Sequence, residues 1–470
     1  MRLIVFTVLT AILSSGCVHY RARPIDPPQL ETEYRNRSLD DAGVQGFVRS
    51  NSEQKSAAWP PKSLNLELLT LIAFYYSPDL EVARAGIALA DAEIVSARAR
   101  INPSLGTESG YNSNPESARL YSILPSFTIE TAGKRGSRIL QAQKVAEAAR
   151  ISLSETAWHV RSRIRAALMV YLLARLRYDQ LRNEESIRVE IVEIFVARLV
   201  LGEAARPELD VFRINLISSR AALKAAEGEV AQSLAALASA AGLPFAALEG
   251  KEIDAPVLEK LPAYESLSLN RVQRAGLVHR ADVRRTLVEY AAAEAALRLE
   301  VARQYPDIEL APGYSFEEGF SRYVIGATLG SVPLFHRNQG PIAVAEAQRR
   351  QVEARFTALQ SQVIGEMDKA VVQYRAAFAE FREATDRLIT IQKEREEAAR
   401  RAFAAGQQDR LELATVRLQS ATAARSRLEA LARAQAALGA LEDALQYPLE
   451  SGLPLPEPPQ VSPNSKGGVR

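Results

Sequence analysis

Cysteine is almost absent from this 470-residue sequence, where Cys17 stands alone. One thiol supports neither a disulfide framework nor a cysteine metal site. Histidine and methionine are also scarce, at four and three. His19, His159, His279 and His336 are isolated from one another, so no metal-binding constellation appears. Charge is balanced, with 58 Lys+Arg against 56 Asp+Glu, which removes the polybasic footprint of a nucleic-acid partner. No Ser-His-Asp arrangement, phosphate-binding loop or dinucleotide fingerprint occurs. The expectation is a protein that is not an enzyme and uses no cofactor. After Cys17 no apolar run reaches the roughly 18 residues needed for a membrane-spanning helix.

Glycine and proline collect in a few stretches, leaving long segments of Ala, Leu, Glu, Arg and Gln, the strong helix formers. The N-terminus is of a different kind. MRLIVFTVLTAILSSGC has a basic Arg2, a short apolar core from Leu3 to Leu13, and small residues before Cys17. This is a targeting pattern rather than fold. It resembles a bacterial lipoprotein signal, with Ser14 where Leu is usual, and the resemblance implies removal of residues 1–16 and lipidation of Cys17. Residues 17–62, with RARPIDPPQ and WPPK, read as an extended N-terminal arm. The Pro-rich stretch 448–470 reads as a disordered tail.

Between these ends the sequence is duplicated. PSLGTESGY at 103–111 returns as PDIELAPGY at 306–314, and LVLGEAARPELD at 199–210 as FAAGQQDRLELA at 403–414. A repeat of this size sets the architecture. The first copy covers 63–241 and the second 267–447, separated by an irregular insert at 242–266. Each copy reads as helix, strand, strand, long helix, turn, helix.

The long helices carry a heptad rhythm. Leu153, Ala157, Val160, Ile164, Ala167, Tyr171, Ala174, Tyr178 and Leu181 step by alternating fours and threes. So do Ala370, Tyr374, Ala377, Phe381, Ala384, Leu388 and Ile391. That spacing keeps an apolar seam against a neighbouring helix. Helices over 137–201 and 341–405 would each be roughly 97 Å long at about 1.5 Å per residue. Shorter helices near 207–241 and 281–304 sum to nearly that length. So do those near 80–101 and 410–445. Each pair is expected to stack end to end, the two composites completing a tall hollow bundle.

The repeated strands, about 103–130 and 306–334, alternate. Leu105, Thr107, Ser109 and Tyr111 oppose Gly106, Glu108 and Gly110, while Ile308, Leu310 and Tyr314 oppose Glu309, Ala311 and Gly313. An apolar face toward lipid and a polar face toward a lumen fit this pattern. Loops are expected at 112–117 and 317–321. Four strands cannot close a barrel, and open edges are not tolerated in lipid. Several chains must therefore share one barrel.

These features resemble the TolC family of outer-membrane efflux proteins, over most of the chain. IETAGKRGSR at 129–138 and VPLFHRNQGPI at 332–342 resemble its CzcC-like branch, the partners of heavy-metal pumps of the resistance-nodulation-division (RND) class. His336 departs from the Asp frequent there. The resemblance implies a mainly α fold with membrane β: a homotrimer whose α-helical tunnel continues a shared 12-stranded β-barrel in outer-membrane lipid. It also implies a periplasmic adaptor and an inner-membrane RND pump as partners, and passive conduction of divalent metal ions. Drug export or type I secretion is the alternative within the family. A periplasmic coiled-coil adaptor is the rival class, but an adaptor carries one hairpin beside a lipoyl-like module.

The same resemblance implies the site residues. Glu412 and Glu208, six residues after Gly406 and Gly202, would line the periplasmic aperture with Arg410 and Arg206 as partners, Arg213 and Arg417 standing nearby. The alternative for both acids is a solvated charge at a helix start. Gly202, Glu203, Gly406, Gln407 and Gln408 would meet the adaptor. From the strand pattern, Glu108 and Glu309 would face the barrel lumen, the alternative for each being simple polarity toward water. Gly133, Gly136, Asn338 and Gly340 would turn strand into helix.

Overall fold

The computed structural model describes residues 20–51, 59–111, 120–253, 258, 261–263, 274, 276–317, 319–330 and 333–449. Cys17 and its signal, the 112–117 loop, much of the 242–266 insert and the tail from 450 lie outside the described residues. Two helices dominate. One, α5 (Lys134–Val200), runs 67 residues, about 100 Å at 1.5 Å per residue. The other runs from α8 (Gln339–Glu383) through a π turn at Ala384–Leu388 into α9 (Ile389–Ala404). Both match the expected spans to within a few residues.

Shorter helices lie against these two: α4 (Pro78–Arg98), α6 (Arg206–Ala240), α7 (Ala281–Ala302) and α10 (Arg410–Leu445). Their stacking corrects the expected pairing. The end of α10 meets the start of α7, where Arg280 Nη1 donates to the Ala444 carbonyl (2.9 Å) and Ala281 N–H to Gln446 Oε1 (2.7 Å). The end of α6 meets the start of α4, bridged by Arg37 Nη1 donating to the Gly242 (2.8 Å) and Tyr76 (3.3 Å) carbonyls. Each composite rod is thus built within one repeat. The reason is local: a helix end leaves carbonyls without intrahelical partners, and an arginine at each joint supplies donors.

The N-terminal arm is also corrected. It folds into α1 (Pro27–Arg35) and α2 (Ala42–Asn51) rather than staying extended. Asp26 caps α1 by accepting the Gln29 N–H, and Pro27 occupies the first helical position, which suits proline. Leu39, Val44 and Val48 are buried with α3 (Leu66–Tyr76) against Val160, Ile164 and Leu168 of α5. A two-residue parallel pairing of β1 (Ser63–Leu64) with β4 (Glu252–Ile253) ties this collar to the insert. Leu449, expected in the disordered tail, is buried beside α8 and α10.

The heptad seam of α5 is buried at Val160, Ile164, Tyr171 and Leu181. In the second copy it is buried at Ala370, Tyr374 and Phe381, but Leu388 and Ile391 are exposed. The π turn adds one residue per turn and rotates the downstream helix α9 by about 100°. Beyond it the shielded side chains are Ile389, Gln392, Glu396 and Ala399, one position later than the heptad predicts.

At mid-height a buried ionic network joins α5 to α10. Glu442, 1% exposed, accepts from Arg165 Nε (3.1 Å), Arg161 Nη1 (3.3 Å) and the Leu449 N–H (2.6 Å). Arg165, 4% exposed, also donates to Gln435 Oε1 (2.9 Å). Gly439 makes room, since a Cβ there would lie 2.7 Å from Arg165 Nη1. Removing one partner of such a pair leaves a buried charge without compensation and costs about 3–5 kcal/mol. Glu442→Gln is therefore expected to lower the thermal midpoint of the detergent-solubilised protein clearly; an unchanged midpoint contradicts the network's role.

The neighbouring pair responds to pH. Burial pushes the Asp282 carboxyl up, but hydrogen bonds and charge from Arg280, with the Val283 N–H, outweigh burial and leave it below its ordinary value. A depressed carboxyl stabilises the fold above its unfolded pKa, and that contribution is lost as pH falls through the folded one. Acidification below the ordinary carboxylate range is expected to lower the midpoint less in Asp282→Asn than in the native chain. Equal acid sensitivity of the two contradicts this.

Candidate functional site

Two regions carry the chemistry, at opposite ends of the long helices. The first is a four-stranded antiparallel sheet of β2 (Ser104–Gly110), β3 (Leu120–Ile129), β5 (Ile308–Glu317) and β6 (Phe320–Leu329), in that order. The second hairpin is tighter than expected. Pairing persists to Glu317↔Phe320, and Gly319 at φ +78° takes a left-handed turn position that suits glycine.

Register sorts the faces. Glu108, Ser122, Ser315 and Arg322 form one polar row, and Thr128, Glu309 and Thr328 another. Both rows lie on the face expected for the lumen, and Glu108 and Glu309 are exposed there. The opposite face carries Leu105, Tyr121, Ile123, Phe127, Ile129, Tyr323 and Ile325, all exposed, the last two at 86% and 84%. Ten-residue strands rise about 34 Å, or about 25 Å when tilted roughly 40°, the height of a lipid-facing band. Among the described residues the outer edges of β2 and β6 have no partner strand.

Left-handed residues stand at the entries from strand to long helix. Gly133 (φ +73°) precedes α5 and Asn338 (φ +59°) precedes α8, both left-handed, while Gly136 and Gly340 lie inside the first helical turns. Asn338 Nδ2 donates to the Glu300 carbonyl (2.7 Å). In the first copy Lys134 Nζ bonds the Tyr305 carbonyl and Asp307 (2.7 Å each), and Arg138 pairs with Glu130. These links fix the sheet onto the helices of both repeats.

The second region is the far tip. Gly202 (φ +76°) and Gly406 (φ +71°) reverse the chain identically. Glu203 N–H donates to the Arg198 carbonyl (2.8 Å) and Gln407 N–H to the Ala402 carbonyl (2.9 Å), which closes the helix C-termini. Gly202, Glu203, Gly406 and Gln407 are exposed at the turns, whereas Gln408 is half-buried. Its Oε1 has no hydrogen-bond partner among the described residues.

Glu208 and Glu412 both act first as helix caps. Glu208 Oε2 accepts the Ala205 N–H and Glu412 Oε2 the Asp409 N–H (3.2 Å each). The two acids stay exposed, as does Arg206 at the start of α6. Arg410 does not pair with Glu412. It binds Glu190 of α5 at 2.9 Å, and Arg417 holds the other oxygen of the same carboxylate at 2.7 Å. Arg213 pairs with Asp210 (3.6 Å). Arg198 of α5 bonds Asp409 at 2.5 Å, and its guanidinium lies 5.9 Å from the Phe195 ring, which stacks on Phe212 at 4.0 Å.

Glu190 and Arg198 are therefore the tip residues that sequence reasoning missed. Glu190 is one acid among several on α5, and its repeat counterpart is also a glutamate, Glu394, so the duplication carries no signal. Arg198 is different. Its counterpart is Ala402, just as Asp409 answers Ala205, and that asymmetry between repeats marks a link made in one direction only, from α5 of the first copy to the start of α10 in the second.

Known proteins share the fold of this chain. Residues 73–243 match the family model described as outer membrane efflux protein. The chain is 27% identical over 312 residues to the cobalt-zinc-cadmium resistance protein CzcC of Cupriavidus metallidurans, covering 64% of this chain and 70% of that one. It shares its fold with the outer membrane protein VceC of Vibrio cholerae (TM-score 0.65, 17% identity, 86% of this chain and 98% of that chain). The CmeC outer membrane channel of Campylobacter jejuni is similar (TM-score 0.64, 14% identity, 92% and 93%).

Asp409 also caps α10, accepting the Glu412 N–H at 2.8 Å. That hydrogen bond, then the Arg198 charge, holds its carboxyl below the ordinary value. Loss of such a cap costs about 1 kcal/mol. Asp409→Ala is expected to speed amide exchange of the first turn of α10 about fivefold at neutral pH. The link is present above the ordinary carboxylate range and lost as pH falls through the lowered pKa, so the difference should shrink in acid. Unchanged exchange at neutral pH contradicts this assignment.

Proposed function

On the strength of that match and that fold, we read the chain as an outer membrane efflux protein of the TolC type and propose that three copies form the passive exit duct of a tripartite pump. The sheet carries this reading: one face is mostly apolar, the other carries the polar rows beside Leu120, Leu124, Phe320 and Val324, and among the described residues both edges lack a partner strand. An unpaired strand edge costs several kcal/mol per group in lipid, so closure by other copies is required. Three copies give twelve strands, in a barrel standing on helices about 100 Å long. No helix among the described residues is long and apolar enough to cross a membrane, which leaves the strands as the spanning element.

Divalent metal cations are the cargo we propose, on the likeness to the cobalt-zinc-cadmium resistance protein. The exposed tips at Gly202, Glu203, Gly406 and Gln407, with Gln408 behind them, meet a periplasmic adaptor that joins the duct to an inner-membrane RND pump. Cys17 is acylated and anchors the mature N-terminus in the outer membrane. Glu108 and Glu309 face the lumen, where carboxylates favour cations over anions.

Gating belongs to the tip. Glu412 and Glu208, with Arg410 and Arg206, rim the periplasmic aperture. Three copies of Glu412 around one axis repel one another, so the closed state depends on the links that hold α10 to α5. The Glu190 clamp on Arg410 and Arg417 and the Arg198–Asp409 bond are those links.

Glu190→Gln is expected to raise single-channel conductance in planar bilayers several-fold, while trimer yield stays unchanged. Native conductance in this variant contradicts the gating assignment. Deleting the gene is expected to sensitise cells to zinc, cobalt or cadmium; unchanged metal tolerance together with lost drug tolerance points instead to a drug-export duct.

A further inference from the structure

The junction between β6 and α8 has a feature that its first-copy counterpart lacks. From β3 to α5 the link is four residues, 130–133, and polar: Glu130 pairs with Arg138, and Thr131 Oγ1 bonds the Pro306 carbonyl at 2.6 Å. From β6 to α8 the link spans 330–338, and its described part pushes two large apolar side chains outward. Phe335 is 95% exposed and Leu334 71%. They are followed by His336 and Arg337, with no acid between 333 and 338. Beside them a cavity of about 400 Å³ opens, lined by Gln304, Phe335, Arg337, Gln339, Ile342 and Glu346 among others.

Position argues for the occupant. The sheet ends nearest the helices on the register row Ile129↔Ile308↔Leu329, which lies on the outward apolar face. Leu334 and Phe335 follow Leu329 by five and six residues in the chain, at the end of the sheet nearest the helices. Aromatic residues concentrate at this level, where hydrocarbon gives way to headgroups, and basic residues beside them meet lipid phosphate. Two adjacent apolar side chains in water have no stabilising partner.

We propose that Leu334 and Phe335 form a wedge inserted into the periplasmic leaflet of the outer membrane, with Arg337 on a phospholipid phosphate and the adjoining cavity accepting its headgroup. This inference rests on the membrane-barrel reading above. It assigns the second repeat alone a lipid-anchoring foot, which fixes the height of the barrel in the bilayer.

The test uses the full-length chain with Cys17→Ser, reconstituted in phosphatidylethanolamine–phosphatidylglycerol vesicles. Single cysteines replace Phe335, Leu334, Ile325 or Val372 in turn and carry a nitroxide label, and collision with oxygen is compared with collision with a water-soluble nickel chelate. Ile325 reports the middle of the apolar band, and Val372, 65% exposed on α8, reports water. The proposal expects Phe335→Cys and Leu334→Cys to show an oxygen-to-nickel ratio several-fold above Val372→Cys and approaching that of Ile325→Cys. Low collision with both reagents means that a second copy covers the loop, and a ratio like that of Val372→Cys means that it stands in water. Either result overturns the wedge. If Ile325→Cys itself behaves as aqueous, the barrel reading fails rather than the wedge alone.

Discussion

A backbone amide or carbonyl inside lipid has no water to turn to, and the proposed barrel depends on this constraint. The sheet satisfies its inner strands through the order β2-β3-β5-β6 and, among the described residues, leaves two edges open. In water such edges invite pairing; in a bilayer pairing is compulsory. The polar rows at Glu108–Arg322 and Thr128–Thr328 and the apolar face opposite acquire a purpose only once a closed wall separates lumen from lipid. On the proposed reading, assembly follows from chemistry that a single chain cannot complete.

The same rule operates in the helical part at lower stakes. Two of the rods are assembled from pieces, and each break exposes helix-end carbonyls. Arg37 and Arg280 bond them directly, and Glu442 with Arg165 locks the central rods at the level of the collar. Below that level the packing is lighter and more polar. The tip is held by a small apolar cluster around Ile187, Ile191 and Leu209 and by charged links from α5 to α10. A rigid waist and a tip fastened by partly exposed ion pairs suit the proposed duct, because pairs near the surface contribute about 0–1 kcal/mol each.

Much of this is legible in the sequence. The duplication, the two long helices, the alternation of the strands and the turn glycines are all periodic, and periodicity survives in one dimension. The misreadings have local physical causes. Stacking of α10 on α7 rather than on α4 depends on Arg280 and Gln446 meeting across the joint, which helix lengths alone cannot reveal. The N-terminal arm reads as extended because proline usually breaks a helix, yet Pro27 sits at a helix start capped by Asp26. The heptad fails at Leu388 because a π turn shifts the phase with no compositional mark. At the tip, sequence spacing finds Glu208 and Glu412, which the structure shows as caps. The partner of Arg410 is out of reach, since Glu190 lies far away in the chain.

The central claim is that the open edges of β2 and β6 close on each other between copies. Oxidative cross-linking in intact outer membranes tests it most directly, with one cysteine along β2 (Ser104–Gly110) and one along β6 (Phe320–Leu329), scanned in register in a Cys17→Ser chain. The account predicts that matched pairs yield dimers and then a covalent trimer, with no larger species. Cross-links confined to single chains, or an open ladder beyond three copies, would contradict it.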